Sequence, residues 1–256
     1  MIQSVRRAAL ILKELASGAP RLGVTELAER VGLAKATVYG LLRALESEQL
    51  VERDPGSGKY GLGPAVLQFG NAFLDSHELR SRSLLWADSL ATRVMEAVRV
   101  GVLNGPNVLI VHHVFRPDDS VQILEVGASI PWHACALGKA IVAYSDPSFR
   151  SELLRGELVR LTGRTVTEPD AIELALERIS RDGIAVEDQE AIIGEAEIAA
   201  PVFGHLGTAV GAISVAGPVD RLLKDGPSPR TVAAVRETAR GLSRDMGAGR
   251  LRARAR

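Results

Sequence analysis

The segment VTELAERVGLAKATVYGLLRALE, Val24 to Glu46, sets two short amphipathic helical patterns almost end to end, with only Gly32 and Leu33 between their periodic residues. Isolated helices shorter than about 12–15 residues are marginal in water, so each must bury its apolar face on something else. Thr25 is placed as the N-cap of the first, Glu26 suits its first turn, and Gly32 marks its end. In the second, Val38, Leu41, Leu42 and Leu45 form one stripe at i, i+3, i+4 and i+7. That stripe leaves Lys35, Ala36, Tyr39, Gly40 and Arg43 on the opposite or flanking surface. Upstream, Val5, Ala8, Leu12, Leu15 and Ala16 recur at helical spacing before SGAPRLG stops the pattern. Downstream, QLVERD and KYGLG flank PGSG as two short extended pieces around a tight turn.

Three helices followed by a hairpin is the order of a winged helix-turn-helix, whose second motif helix enters a major groove while the wing follows the backbone. The exposed chemistry is compatible with that use. Lys35, Arg43, Arg53 and Lys59 can meet phosphates, Thr37 offers a hydroxyl near a helix N-terminus, Tyr39 adds a phenol, and Ser57 rides on the wing. Charge alone carries little, since residues 1–62 hold nine Lys or Arg against seven Asp or Glu. The competing reading of the same residues is a small protein-binding or dimerising domain whose charges merely solvate it.

A chain of 256 residues suits two domains, and 46% apolar with 24% charged residues is a globular balance. Lys+Arg and Asp+Glu both number 31, so whole-chain charge points to no nucleic acid. One cysteine excludes an intramolecular disulfide and a cysteine-rich zinc site. The N-terminus has no secretory-signal pattern and no run reaches the roughly 20 apolar residues of a membrane span, which makes the cytoplasm the expected compartment and a membrane partner unexpected. PAVLQFGNAFL suggests a connecting helix, and a longer helical pattern from Leu79 to about Val98 uses Leu84, Leu85, Ala87, Leu90, Ala91, Val94 and Met95. Beyond it, Ala97–Leu103 and VLIVHHV form a hairpin around NGPN, and VQILEV offers another strand. Helices are expected in ALGKAIVAYS, SELLRG and DAIELALERISRDG, strands in IAVED, EIAAPVF and TAVGAISVAG, and a terminal helix after SPR. The expected class is α+β, with a sheet of about five or six strands covered by helices. The division is 1–68 for the winged helix-turn-helix, 69–80 for a linker, 81–250 for the larger domain, and 251–256 for a basic tail.

The stretches SVRRAALILKEL, VTELAERVGLAKATVYGLLRALE, GKYGLG, WHACALGKAIVA, DGIAVEDQEAIIGEAEIAAPVF and GAISVAGP together resemble the IclR family of bacterial transcription regulators, over nearly the whole chain. The resemblance implies an N-terminal winged helix-turn-helix joined by a helix to a GAF-like effector-binding domain. It further implies a dimer or tetramer on double-stranded operator DNA, a small-molecule effector that shifts subunit arrangement, no cofactor, and repression as the commoner outcome. By carry-over the DNA-facing set is Thr25, Lys35, Ala36, Thr37, Tyr39, Arg43, Arg53, Ser57 and Lys59. Two positions depart from the family pattern: Ala36 stands where Ser is usual and Gly40 where Arg is usual. Gly40 also costs about 1 kcal/mol of helix propensity relative to Ala, which close packing or close DNA approach would offset.

For the effector, the resemblance implies the backbone amides of Ala136 and Leu137, then His133, Cys135, Glu187, Glu197, Ser214 and Ala216. Ser214 alternates with Ala212 and Ala216, so one strand face offers room and one hydroxyl. Glu197 stands where many relatives carry Cys. A carboxylate among apolar residues is costly if buried alone, and Glu187 would add like charge. A small keto acid is therefore disfavoured against a neutral hydroxylated, amide-bearing, aromatic or cationic effector. The alternative is that Glu197 faces solvent or pairs with an Arg. His133 and Cys135 suggest a nucleophilic pair, and His112, His113, His133, Glu187 and Glu197 a metal site, but spacing supports neither, and Gly138-Lys139 lacks the glycines of a P-loop. An enzyme with an N-terminal assembly domain, and a scaffold that has lost ligand sensing, are the rival functions.

Overall fold

The computed structural model describes residues 2–18, 21–118 and 122–249. The expected tail 251–256 lies outside them. Contacts divide the chain into two compact units, 1–76 and 77–256.

In the first unit α1 (Gln3–Ala16), α2 (Val24–Val31) and α3 (Lys35–Ser47) precede a hairpin of β1 (Val51–Arg53) and β2 (Tyr60–Leu62), and α4 (Pro64–Ser76) follows. Ile11, Leu15, Leu27, Val38, Leu42, Leu45, Val51 and Tyr60 make its core. Ile11 thus takes the central place in α1, whereas Val5 of the expected stripe is 64% exposed, because the first turn of α1 extends past the core. Leu22 exchanges two backbone hydrogen bonds with Tyr60, at 2.9 and 2.8 Å, which ties the α1–α2 connection to the wing.

The N-cap expected at Thr25 falls instead on Gly23, whose amide donates to Glu26 Oε2 at 2.6 Å. Thr25 is an exposed first-turn residue. Gly32 ends α2 in the left-handed region, φ 66°, where glycine is favoured. The wing register is Val51↔Leu62 and Arg53↔Tyr60.

The second unit is a six-stranded antiparallel sheet in the order β5-β4-β3-β8-β7-β6. Its strands are β3 (Ala97–Asn104), β4 (Asn107–Val114), β5 (Ser129–Pro131), β6 (Ala185–Asp188), β7 (Glu195–Phe203) and β8 (Ala209–Pro218). Its helices are α5 (Glu78–Val94), α6 (Ala136–Val142), α7 (Pro147–Arg155), α8 (Pro169–Asp182), α9 (Val219–Leu222) and α10 (Pro229–Asp245). Ala199 and Ala212 join the cluster formed with Leu137, Ala140 and Ile141 of α6 and Ile172, Leu176 and Ile179 of α8. The neighbouring Gly211 points the other way, since a Cβ there would meet Leu79 Cδ2 of α5 at 2.3 Å. Helices therefore cover both faces, as an amphipathic chain with two apolar sheet faces requires.

Three expectations for this unit are corrected. The helix from Leu79 ends at Met95, φ 60°, and the chain enters β3 two residues later. Leu85, placed on its core face, is 83% exposed. VQILEV, of which residues 122–126 are described, is not a strand. The β4 edge is taken by β5, and 122–125 is held by side chains instead: Gln122 exchanges hydrogen bonds with the Arg116 backbone at 2.6 and 2.9 Å. Ile123 and Leu124 consequently point outward.

Candidate functional site

On α3, Lys35, Ala36, Tyr39, Gly40 and Arg43 are exposed and Thr37 is half-buried, so the helix presents a polar face opposite Val38, Leu42 and Leu45. Among the described residues Arg43 makes no ion pair with Glu46 or Glu48. A Cβ on Gly40 would meet nothing within 4 Å, which removes packing inside the protein as a reason for that glycine. The wing residues are organised by their own neighbours. Arg53 donates from Nε to Gly58 O at 3.2 Å and lies over the Tyr60 ring. Ser57 donates from N and Oγ to Asp54 Oδ1, both at 2.7 Å, and Lys59 pairs with Glu26 at 3.3 Å. Accordingly the Asp54 carboxyl is held below its usual range by the Ser57 amide and hydroxyl.

In the larger unit the face of the sheet toward α6 carries a polar network. Cys135 is the N-cap of α6, its Sγ accepting from Gly138 N at 3.4 Å. Gly138 is required there, because a Cβ would sit 2.2 Å from Trp132 O. The close approach exposes the first α6 amides to the sheet, and Glu197 fills that position. Its Oε2 accepts from Ala136 N at 2.8 Å and Leu137 N at 3.3 Å, and its Oε1 accepts from Ser214 Oγ at 2.7 Å. The positive end of a helix and three donors thus compensate a carboxylate only 2% exposed. The alternative that Glu197 faces solvent is corrected, whereas its pairing with an Arg is met by Arg99 Nη1 at 4.0 Å, and the amides expected to receive an effector are engaged by the chain itself.

Glu187 lies opposite Glu197 in the β6–β7 register and is also buried. Burial first, and then the Glu197 charge, push its carboxyl up to about 8. Its Oε1 accepts from the amides of Glu190 and Ala191. Next to it, Lys139 pairs with Glu190.

Sequence reasoning missed Arg99, a cation set among valines on β3. Its guanidinium is met by Glu125, by Glu195 at 3.3 Å and by Glu197 at 4.0 Å. Burial opposes its charge, but those three carboxylates outweigh burial and hold its pKa above the ordinary value. The only available signal was a charged residue in the apolar alternation of AVRVGVL. Beside Arg99 is a cavity of about 440 Å³, bordered by His113, Arg116, Glu125, Glu195 and Ala216. Of the effector residues expected from sequence, Ala216 alone lines this cavity, while Ala136, Leu137, Glu187, Glu197 and Ser214 lie buried behind it. Burial lowers the His113 pKa, and its Nδ1 accepts from Glu125 N at 3.2 Å.

The paper arrangements for catalysis do not assemble. His133 bonds through Nε2 with Val159 O at 3.0 Å, and Cys135 turns its thiol to Trp132 O and Gly138 N. Burial, then the Glu197 charge, raise the Cys135 pKa, so the thiol stays protonated and poorly nucleophilic. Among the described residues no group of three or more His, Cys, Asp or Glu is arranged to hold a metal ion, and no helix is long and apolar enough to cross a membrane.

A helix-turn-helix with a polar second helix and wing, linked in one chain to a sheet domain with a polar network, defines a DNA-binding transcriptional regulator rather than an enzyme. Residues 4–55 match the IclR helix-turn-helix domain and residues 71–244 the bacterial transcriptional regulator IclR C-terminal domain, and the chain belongs to the IclR family. It is 52% identical over 250 residues to the glycerol operon regulatory protein of Streptomyces griseus, covering 97% of this chain and 98% of that one. The IclR-type transcriptional regulator from Alicyclobacillus acidocaldarius superposes with a TM-score of 0.84 at 28% identity, covering 96% of this chain and all of that one. An IclR homologue from Microbacterium hydrocarbonoxydans, complexed with 4-hydroxybenzoate, shares the fold with a TM-score of 0.80 at 23% identity, over 95% and 99% of the two chains.

Proposed function

We propose that this ligand-responsive regulator represses an operon for catabolism or uptake of a small polyol, and that a neutral, hydroxylated effector relieves repression. The carrying observation is that Glu197 occupies the Ala136 and Leu137 amides. An anionic effector would have to expel that carboxylate from both amides and leave two anions in one buried site, so like charge disfavours it. The adjoining cavity offers Arg99 and Arg116 against Glu125 and Glu195, a balanced set of donors and acceptors that suits hydroxyl groups. The name of the Streptomyces griseus relative, a glycerol operon regulatory protein, supports the same class.

In this reading residues 1–68 bind double-stranded operator DNA, 69–80 link, and 81–250 bind effector and oligomerise, in the cytoplasm. Lys35, Ala36, Thr37, Tyr39 and Arg43 meet the major groove, Thr25 and the wing residues Arg53, Ser57 and Lys59 meet backbone, and the +2 balance of residues 1–62 makes affinity depend on two or more copies binding together. Exposed Leu67 and Phe69 on α4 support a homodimer, of which a tetramer would be a pair.

Footprinting of the adjacent promoter at several salt concentrations, with and without glycerol and other polyols, tests this. Specific protection that a polyol weakens is the expected result. No specific protection by folded oligomer would sink the regulator reading. Protection unchanged by polyols would favour a domain without ligand sensing, for which the self-satisfied Glu197 network is the supporting observation.

A further inference from the structure

A second cavity, of about 520 Å³, lies away from Glu197 among α8, the far part of β7 and α10. Arg236, Arg240 and Arg244 recur at i, i+4 and i+8 on α10, which sets them on one helix face, and all three line it. Arg181, from the last turn of α8, joins them. Among the described residues Asp182 is the one carboxylate on the wall, against four guanidinium groups.

These cations are not used up by the fold. Among the described residues none of the four has a carboxylate within ion-pair distance, although many other arginines do, including Arg93, Arg150, Arg164 and Arg221. Arg236 donates from Nη2 to Asp182 O at 2.8 Å, yet its Nε is buried with no hydrogen-bond partner. That donor is left unsatisfied by the fold, at a cost on the order of 1–3 kcal/mol. Clustered like charges also repel one another, and an anion would relieve that repulsion.

Apart from Ser243 and the Tyr144 hydroxyl, the remaining wall is apolar. Tyr144 and Phe203 meet edge to face, centroids 5.0 Å apart, next to Ala200 and Pro201. A cationic rim over an aromatic floor fits a ligand that is anionic at one end and apolar at the other. Arginine forks match the oxygen geometry of phosphate, and three uncompensated charges suit a dianion better than a single carboxylate.

We infer that the α8–β7–α10 cavity is a second ligand site, for a small organic phosphate monoester with an apolar body. Strand β7 carries Ala200 of this cavity and Glu197 of the polar network three residues apart. Such a site gives the regulator a second metabolic input.

Isothermal titration of the full-length protein with phenyl phosphate, inorganic phosphate and phenol tests the inference. Phenyl phosphate should bind more tightly than either of the others. Replacing the exposed pair by Arg240→Ala with Arg244→Ala should weaken it by roughly 10- to 100-fold, from the loss of charge-assisted hydrogen bonds, while Glu197→Gln leaves it within about 2-fold, as expected for sites at this remove. No binding of phenyl phosphate at millimolar concentration would overturn the inference, as would binding indifferent to the two arginines or abolished by Glu197→Gln. Ligand-free operator affinity supplies the last arm. An unchanged value in the double variant supports a small-molecule site, and a marked loss assigns these arginines to DNA phosphates and overturns it.

Discussion

The carboxylate Oε2 of Glu197 lies 2.8 Å from the backbone nitrogen of Ala136, so a strand residue supplies the anion at the N-terminus of a helix 61 residues earlier in the chain. Removing that carboxylate should free the amides. An acetate accepting from both amides would take the place that carboxylate now fills, so wild type offers it no free donors there, and two charge-assisted hydrogen bonds are together worth about 3 kcal/mol. Glu197→Cys should therefore raise acetate affinity by roughly 100-fold over wild type, measured by calorimetry. Equal acetate binding in the two proteins would remove Glu197 as the determinant of effector charge.

Glu187 makes stability depend on pH. Its folded pKa is about 8 against an ordinary 4.5, so its contribution is fully present below about pH 4.5 and is lost as pH rises toward 8. Glu187→Gln keeps an acceptor for the Glu190 and Ala191 amides and has no charge to bury. Urea midpoints at pH 5, 6.5 and 8 should show the variant gaining on wild type at each step. A constant difference across that range would show that Glu187 does not titrate there.

Gly138 holds α6 against the turn that precedes it. A methyl group would lie 2.2 Å from Trp132 O and 2.6 Å from Trp132 Cα, and backbone cannot rotate away as a side chain does. Gly138→Ala should lower the stability of the larger unit by about 3 kcal/mol, at the upper end for an overpacked site. Denaturant unfolding followed by fluorescence would record it, and a change below about 1 kcal/mol would contradict the contact.

Gly40 faces open space in the protein, so its replacement separates folding from DNA contact. Gly40→Ala should stabilise the smaller unit by about 0.5–1 kcal/mol through helix propensity. If this face meets DNA, Gly40→Arg should raise operator affinity and steepen its salt dependence by about one unit of slope. Filter binding over a salt series would measure both, and an unchanged slope would place Gly40 away from phosphate.

Cys135 is buried and its thiol is held protonated. Iodoacetamide at pH 8 should leave it unmodified in folded protein and alkylate it promptly in urea. Rapid labelling of the folded state, read by mass spectrometry, would contradict the α6 cap geometry.

Much of the architecture was legible because local periodicity encodes it. The Val38, Leu42, Leu45 stripe reports which side of a helix is apolar, and the nearly unbroken apolar run of β8 reports a strand buried on both faces, which is enough to order helices, wing and sheet. Failures fell where side chains overruled the local pattern. The apolar VQILEV reads as a strand, but Gln122 and Glu125 anchor its described residues through polar side chains and turn Ile123 and Leu124 outward. At the candidate effector site, Ala136, Leu137, Glu187, Glu197 and Ser214 were all named from the chain, but Arg99 was not, because one charged residue among valines gives no hint of its partners.

By itself the sequence determined the winged helix-turn-helix, the α+β class, the family, and the anomaly of a carboxylate at position 197, since each is carried by contiguous residues. The tertiary structure alone decided what that carboxylate does. Strand pairing set Glu187 opposite Glu197, Gly138 let α6 approach the sheet, and the Ala136 and Leu137 amides together with Ser214 then made a buried charge tolerable. The physical reason is that periodicity records only whether a side chain points inward. The cost of burying a charge depends on donors brought to it from distant parts of the chain, and no local pattern records those.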